Sequence, residues 1–388
     1  MRSVDVAERR ARLGVRHGLA AQQTGAVGAA RAVVALHATD PCTVFLSVRA
    51  RDPAATVGSV ERELYEERSL VRMLGMRRTV FVVPVDLAPV VQASSTRDVV
   101  ARSRRTYTKL VTEAGVGDGA WLRELEASTL RALEARGEAT AQQLSADEPL
   151  LRTKVALAEG KSYGGSVNVT SWVLFLLAGE GRVVRGRPLG SWTSTQYRWS
   201  PVASWLPGGL PELPVEESRV ELVRRWLRAY GPGTVADVAW WTGWTVGQVR
   251  LALRSLDVVE VSLDHGAALL LSDDVEPVAA PPPWVALLPA LDPTPMGWKE
   301  RGWWLGPYAP QLFDRNGNVG PTVWADGRVV GGWAQRPSGE VVWRLFEDIG
   351  AAAAADVEAE AARVERFVGE ARVVPRFRTP LERELSSS

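Results

Sequence analysis

The sequence predicts an α+β fold in which three tandem winged helix-turn-helix units precede a C-terminal β-rich scaffold. Helical periodicity followed by two apolar runs typical of a hairpin recurs three times along the chain. After residue 284 the pattern changes to short strands and turns, and 388 residues suffice for more than one core. We therefore divide the chain into four segments. Residues 1–120 form a winged-helix segment with a catalytic-type stretch, 121–212 one with a basic hairpin, and 213–275 a third. Residues 276–388 form the scaffold and a terminal helix.

The clearest copy of the pattern spans residues 216–272. The periodic stretch "EESRVELVRRWLRAYG" predicts a helix that ends at a Gly-Pro-Gly turn, 231–233. Thr234 and Thr245 are placed to cap the helices "VADVAWWTG" and "VGQVRLALRSL". The strands "VVEVSL" and "AALLLS" then form a hairpin through Asp264-His265-Gly266. Three short helices and a hairpin describe a winged helix.

The other segments show the same rhythm less regularly. Residues 122–200 contain the helices "LRELEASTLRALEARG", "AQQLSAD" and "SVNVTSWVLFLLAGEG", then the strands "RVVRGRP" and "GSWTSTQYRW". Residues 4–84 contain the helices "AVGAARAVVALHA" and "DPCTVFLSVRAR" and the strand "RTVFVVP". Beyond residue 284, hairpin signals at 314–317 and 325–327 precede an alanine-rich helix. We expect the tail "ERELSSS" to be frayed.

Composition limits the classes of function. The net charge is only +1, so any nucleic-acid surface must be a local patch. The single cysteine, Cys42, excludes an intramolecular disulfide and a cysteine-based metal cluster, and it fits a reducing cytoplasm. The first residues lack the apolar core of a signal peptide, and no stretch is long enough to span a bilayer. We predict a cytoplasmic protein that does not associate with membranes.

The hairpin at 182–199 is the most cationic aromatic stretch, and it contains no acidic residue. Arginines on a strand pair hold phosphates, while rings or an amide enter a groove or wedge a base step. The alternative is an exposed hairpin whose arginines serve solubility. Weaker basic candidates are 102–109 and 76–81, whereas 8–12 indicates a solvated helix face. The predicted DNA-binding residues are Arg182, Arg185, Arg187, Trp192, Gln196, Tyr197 and Arg198.

The stretch "LHATDP", residues 36–41, places a histidine, a hydroxyl and a carboxylate close together. It has a structural interpretation: Asp40 caps the following helix, with Pro41 at its first position. Thr39 is then a turn hydroxyl, and His37 lies at the C-terminus of the preceding helix, where a cation is favoured. The alternative is a catalytic cluster, and the residues alone leave both interpretations open.

The sequence resembles the winged-helix DNA glycosylase superfamily that includes the azinomycin-resistance glycosylase and bacterial interstrand-crosslink glycosylases. The resemblance covers nearly the whole chain. It is carried by four stretches in order, "ALHATDPCTVFLSVRAR", "GRVVRGRPLGSWTSTQYRW", "LLPALDPTPMGWKER" and "FDRNGNVGPTVWADGRVVGGW". It implies a C-shaped cradle of winged helices around duplex DNA, with attack on an unflipped nucleotide; base flipping is the other route.

The family's catalytic motif is glutamine, an aliphatic or small residue, then glutamine or aspartate. It falls on His37, Ala38 and Thr39, so this chain departs from it at both chemical positions. The resemblance implies that His37 orients or deprotonates a water, because imidazole has an intrinsic pKa near neutrality. Thr39 adds a hydrogen bond, and Asp40 is the nearby carboxylate that would stabilise a developing cation.

The predicted function is a monofunctional DNA N-glycosylase that acts on N7- or N3-alkylated purines or crosslinked nucleotides in duplex DNA, in base excision repair or genotoxin self-resistance. Its partner is alkylated double-stranded DNA, which implies association with the nucleoid. We expect no metal or nucleotide cofactor, since the sequence has no phosphate-binding loop and no histidine ligand pair. An oligomer is not expected, although the sequence leaves this open.

Two other functions fit the sequence. One is a non-catalytic winged-helix DNA-binding protein, either a regulator or a damage-binding scaffold, and the other is a protein-interaction module. Asp292, in "LDPTP", is interpreted as a turn residue with Lys299 and Arg301 solvated or paired with it. A position lining a DNA channel is the alternative for Asp292.

Overall fold

The computed structural model describes residues 2–21, 23–157, 165–264 and 266–387, and it has the predicted α+β class. The chain divides into two compact units. The first compact unit comprises Met1–Leu70, Phe81–Pro84 and Arg219–Ser388, and the second comprises Val71–Val80 and Val85–Ser218. None of the helices within the described ranges is both long and apolar enough to cross a membrane.

Both units contain helices and strands. The described helices are α1 (Val6–Arg16), α2 (Gly25–Ala32), α3 (Pro41–Arg51), α4 (Val57–Glu61), α5 (Ala88–Val91), α6 (Arg97–Glu113), α7 (Gly119–Arg136), α8 (Ala141–Asp147), α9 (Thr170–Gly179), α10 (Val202–Trp205), α11 (Val215–Tyr230), α12 (Val235–Thr242), α13 (Val246–Leu253), α14 (Gly302–Leu305), α15 (Ala309–Leu312), α16 (Ala351–Val368) and α17 (Pro380–Ser387). The described strands are β1 (Arg2–Ser3), β2 (Leu36–His37), β3 (Leu70–Leu74), β4 (Val80–Pro84), β5 (Ala139–Thr140), β6 (Lys154–Leu157), β7 (Gly165–Asn168), β8 (Val183–Pro188), β9 (Tyr197–Pro201), β10 (Val258–Leu263), β11 (Gly266–Leu271), β12 (Val285–Leu288), β13 (Thr322–Ala325), β14 (Arg328–Gln335) and β15 (Val341–Leu345).

The second compact unit contains the element order predicted for the basic-hairpin segment. Helices α7, α8 and α9 precede the hairpin β8–β9, and β5 pairs with the outer side of β9 to give the sheet order β5-β9-β8. Thr140 begins α8 with a capping box that includes Gln143. One expectation was wrong: residues 165–168 form β7, which pairs with β6, so α9 begins only at Thr170.

The segment at 216–272 also has the predicted elements. Helices α11, α12 and α13 are followed by the antiparallel hairpin β10–β11. Thr234 and Thr245 both cap their helices as predicted, each within a capping box. Of the predicted hairpin turn, His265 lies outside the described residues. Strand β1 adds to this sheet in parallel with β10, which the sequence pattern does not predict.

His37 does not lie at a helix C-terminus, and that expectation was wrong. Helix α2 ends at Ala32, and Val34 has a φ of 66°, which no continuing helix permits. The chain then extends as β2, whose Leu36 and His37 pair antiparallel with Val82 and Phe81 of β4. Pairing with a strand that lies far along the chain therefore decides the conformation of this stretch.

The arginines of α1 also depart from expectation, because residues 8–12 are not a solvated face. Arg12 is buried and binds Glu8 at 2.8 Å and the carbonyl oxygens of Asp274 and Glu276. Arg9 is buried with its guanidinium 4.1 Å from the ring centroid of Trp303. Carbonyl oxygens and an aromatic face replace the solvent around these charges.

Over its described residues, the C-terminal part contains one four-stranded sheet and four helices. Strands β12, β13, β14 and β15 form an antiparallel sheet in that order, and the β13–β14 turn contains the predicted Asp326-Gly327 pair. Helix α16 packs on β12 and β15. The tail is not frayed over its described part, because α17 packs on β14 and buries Leu381 and Leu385.

Candidate functional site

The stretch around His37 is held by backbone pairing and by an aromatic neighbour. The His37 side chain is 7% exposed, and its ring lies edge-on to Phe81 with the centroids 5.6 Å apart. Phe81 is also the strand partner of His37, so pairing and ring packing fix the same two residues. Ala38 is buried, and Thr39 is half-buried. Thr39 is therefore the most solvent-accessible of the three residues.

Asp40 caps α3, as the structural interpretation predicted. One carboxylate oxygen accepts a hydrogen bond from the backbone N–H of Cys42 at 3.1 Å, and Pro41 is the first helical residue. The other oxygen accepts from the backbone N–H of Arg376 at 2.9 Å. Both oxygens are thus engaged by amides, which suits a carboxylate that positions the segment better than one that contacts substrate.

The other end of α3 is anchored by a buried ion pair. Arg51 and Asp292 are both 0% exposed, and two guanidinium nitrogens of Arg51 lie 2.8 and 2.9 Å from the two carboxylate oxygens. The Ser47 hydroxyl donates to the same carboxylate at 2.6 Å. Burial opposes ionisation, yet the charge and hydrogen bonds of Arg51 hold the pKa of Asp292 below its ordinary value.

Asp292 does occupy a turn, since it accepts a hydrogen bond from the backbone N–H of Thr294 at 2.9 Å. Its partner is Arg51, however, rather than the predicted Lys299 or Arg301. The sequence could not indicate this, because α3 and the turn at 292–294 are brought together only by the fold. Asp292 therefore supports α3 from inside the first compact unit.

His17 belongs to the same buried network. Thr294 accepts a hydrogen bond from Arg51 at 2.8 Å, and its hydroxyl lies 2.9 Å from His17 Nδ1. His17 Nε2 lies 3.2 Å from the carbonyl oxygen of Ala229, which can only accept, so Nε2 carries the proton. Burial, together with the charge of Arg51, lowers the pKa of His17 to about 3. His17 is therefore a neutral structural histidine.

In the second compact unit, the basic hairpin carries Arg185 against two aromatic rings. The Arg185 guanidinium lies 5.0 Å from the ring centroid of Trp199 and 5.8 Å from that of Tyr197. Arg72, which sequence reasoning missed, lies 4.9 Å from the Tyr197 ring. Stacking of this kind holds guanidinium planes in place. The Tyr197 side chain therefore lies close to two cations.

The remaining hairpin residues differ in exposure. Arg182 and Gln196 are exposed and Arg187 is half-buried, whereas Trp192 is only 7% exposed. Trp192 thus packs within the unit and does not present its ring on the surface. Arg198 lies 3.5 Å from Glu138, so the acid-free stretch gains an acidic neighbour in space.

The comparisons with known proteins bear on these two sites. A family model described as "AlkZ-like: DNA glycosylase AlkZ-like" matches residues 30–367. The chain belongs to the AlkZ-like DNA glycosylase family. A solved structure, Streptomyces sahachiroi DNA glycosylase AlkZ, has the same fold, with a TM-score of 0.73 and 21% identity over 96% of this chain and 98% of that one. No curated protein matches the sequence.

Membership in the AlkZ-like family confirms the resemblance inferred from the sequence, and with it a DNA glycosylase-like function. The matched range includes both the His37 stretch and the basic hairpin. Within the described ranges, no group of three or more histidine, cysteine, aspartate or glutamate side chains is arranged to hold a metal ion. His37 and Thr39 present an imidazole and a hydroxyl, which are suited to binding and polarising water.

Proposed function

We propose that this AlkZ-like protein is a monofunctional DNA N-glycosylase for N7- or N3-alkylated purines or crosslinked nucleotides in duplex DNA. The proposal is carried by the placement of His37 and Thr39 at the family's motif, on a stretch whose following helix, α3, is anchored at both ends. A rigid frame of this kind keeps a catalytic group within tenths of an ångström of its working position. Such an enzyme works on DNA at the nucleoid.

The chemistry needs little acid catalysis. A purine alkylated at N7 or N3 is already cationic, so its bond to C1′ breaks with the electron pair moving to the purine nitrogen. The sugar gains oxocarbenium character, a water oxygen bonds to C1′, and the water proton passes to the His37 imidazole. The products are a neutral free base and an abasic site. A single general base of this kind contributes roughly 10²–10⁴-fold in rate.

Thr39 and Asp40 take different parts in this proposal. The half-buried Thr39 hydroxyl accepts a hydrogen bond from the attacking water or donates one to a sugar-phosphate oxygen. Asp40 acts as a positioning residue, because its two oxygens bind the amides of Cys42 and Arg376. Its negative charge remains close to the segment, where it also favours a developing cation.

The basic hairpin supplies duplex contacts in this proposal. Arg182, Arg185 and Arg187 contact phosphates, and the exposed amide of Gln196 reaches into a groove. Tyr197 supports β9 and Trp192 supports the connection between β8 and β9, and Arg198 divides its charge between Glu138 and the DNA. Phosphate contacts of this type carry no sequence information and set the register of the protein on the duplex.

The test is a single-turnover assay on a duplex with one N7-methylguanine, in which abasic sites are revealed by alkaline cleavage. We expect His37→Ala to slow excision by roughly 10²–10⁴-fold with the duplex Kd unchanged. His37→Gln restores the family's residue and can hydrogen-bond the water without taking up its proton, so its rate should lie between those of His37→Ala and the wild type. For the hydroxyl, Thr39→Ser is the matched control for Thr39→Val, and only the valine should slow the reaction. Excision by His37→Ala at the wild-type rate would remove His37 from the mechanism.

A second candidate is a non-catalytic protein that binds damaged DNA. It is favoured by the departure from the family's motif and by the 7% exposure of His37. The same assay separates the two, because this protein would bind alkylated duplexes tightly and release no base from any of them. If the wild type produces abasic sites and His37→Ala does not, the non-catalytic candidate is excluded.

A further inference from the structure

The first compact unit has an open cleft outside the His37 stretch, lined by two segments, 313–316 and 376–383. Four arginines line it, Arg315, Arg376, Arg378 and Arg383, against one acid, Asp314. No sequence pattern predicts this cleft, because its two walls are distant along the chain. In a protein with a net charge of +1, such a concentration of cations needs an explanation.

Most of this charge is uncompensated within the protein. Arg378 forms a paired contact with Glu382, at 2.7 and 3.0 Å. Arg315, Arg376 and Arg383 are exposed and form no ion pair within the part of the chain that the structure describes. Three guanidinium groups are thus available to an anion from outside.

The single acid of the cleft is occupied by its own turn. Asp314 accepts hydrogen bonds from the backbone N–H groups of Asn316 and Asn318, both at 2.8 Å, and from the Asn318 amide at 2.9 Å. The carboxylate therefore does not neutralise the arginines by direct contact. Pro380, the first residue of α17, also lines the cleft, so the positive end of that helix adds to the potential.

The cleft is fixed directly to the candidate catalytic stretch. The backbone N–H of Arg376 donates to Asp40 at 2.9 Å, and Asp40 follows Thr39 in the chain. The Arg376 side chain is exposed in the cleft, with its guanidinium 5.9 Å from the Phe377 ring centroid. An anion bound there would lie close to the residues placed at the family's motif.

We propose that this cleft binds the phosphodiester backbone of the DNA strand next to the nucleotide under attack, through Arg315, Arg376 and Arg383. The inference rests on the proposed function for the position of that nucleotide. Guanidinium groups match phosphate oxygens in a bidentate manner, and successive phosphates along one strand can contact several arginines of the same cleft. An acidic peptide is less suited, since its carboxylates have no fixed spacing.

The test measures duplex affinity by fluorescence anisotropy from 50 to 200 mM salt, on an undamaged duplex. Each lost phosphate contact should reduce the salt slope by about 0.9, which corresponds to roughly fivefold in Kd at 150 mM. The triple variant Arg315→Gln, Arg376→Gln, Arg383→Gln should therefore bind about a hundredfold more weakly. Arg366→Gln, on the exposed face of α16, is the matched control and should behave as wild type.

Replacing the same three arginines by lysine should retain the slope, which shows that charge is the active property. If the triple glutamine variant melts early by circular dichroism, Arg376→Gln alone decides, because its backbone N–H still binds Asp40. A wild-type slope in a folded glutamine variant would overturn the proposal.

Parallel assays of base excision separate the two proposals. If the wild type excises the base and the triple glutamine variant keeps the wild-type salt slope, the cleft proposal is rejected and the glycosylase proposal stands. A reduced slope without any excision supports the cleft and rejects the glycosylase. An unchanged duplex slope together with the loss of binding to a poly-glutamate peptide would assign the cleft to an acidic protein partner instead.

Discussion

Acidification should destabilise the first compact unit through His17. This ring is fully buried and neutral, with Nδ1 accepting from Thr294 and Nε2 donating to Ala229. Protonation of Nδ1 would break the hydrogen bond that Thr294 donates to it, and it would create a second buried cation near Arg51. The network that would be disturbed is the one that anchors the end of α3, so acid stability and the frame of the candidate site are linked.

The magnitude follows from the two pKa values. The folded His17 has a pKa of about 3 and the unfolded one about 6.5. The unfolded chain therefore takes up a proton first, and stability is lost as pH falls from 6.5 towards 3. The slope is about 1.4 kcal/mol per pH unit, which gives about 2 kcal/mol at pH 5. Below the pKa of folded His17 both states are protonated, and no further stability is lost through this residue.

The assay compares wild type with His17→Gln in urea unfolding between pH 7 and pH 4.5. Glutamine can donate to Ala229 and accept from Thr294 but does not titrate, so the pH dependence should be smaller in the variant by the amount above. Carboxylates titrate in both proteins and cancel in the difference. Because the chain has two compact units, hydrogen exchange over 6–16 should report the local transition. Parallel pH profiles for the two proteins would refute the assignment of a buried neutral His17.

Two other variants test the buried ion pair of α3 and the basic hairpin. Asp292→Ala leaves Arg51 charged and fully buried, so the free energy of unfolding should fall by about 3–5 kcal/mol in a urea titration, and an unchanged midpoint would contradict the buried pair. Arg185→Ala with Arg187→Ala in the basic hairpin should weaken duplex binding and reduce the salt slope by up to about 1.8; a wild-type slope would place the DNA contacts elsewhere.

Local chemistry made much of the secondary structure predictable. Thr234, Thr245 and Asp40 cap helices because a side-chain oxygen three or fewer residues away satisfies the first free N–H groups. The hairpin after α13 follows from two apolar runs separated by turn residues. Each of these signals is complete within about ten residues of sequence, so no knowledge of the tertiary fold is needed.

Several of the errors have a common physical origin in contacts between distant parts of the chain. Strand β2 has two residues, and its conformation depends on pairing with β4. Arg12 lies on a face that looks solvated until the carbonyl oxygens of Asp274 and Glu276 reach it. The arginine cleft arises from two segments of the C-terminal part, 313–316 and 376–383, the second of which includes the start of α17. Periodicity and capping describe neighbours along the chain, and these partners are not neighbours.

The candidate site combines both kinds of information, and this bears on its unusual motif. We propose the position from the family resemblance, whereas the geometry comes from Asp40 bound to Arg376 and from Arg51 bound to Asp292. Neither pair includes His37 or Thr39, so the backbone of the motif is held by residues outside it. Changes at the two chemical positions therefore alter the groups presented without moving the frame. In our proposal, His37 and Thr39 stand at the family's motif, and this separation allows both chemical groups to differ while the fold is kept. It predicts that exchanging His37 for glutamine should cost little stability.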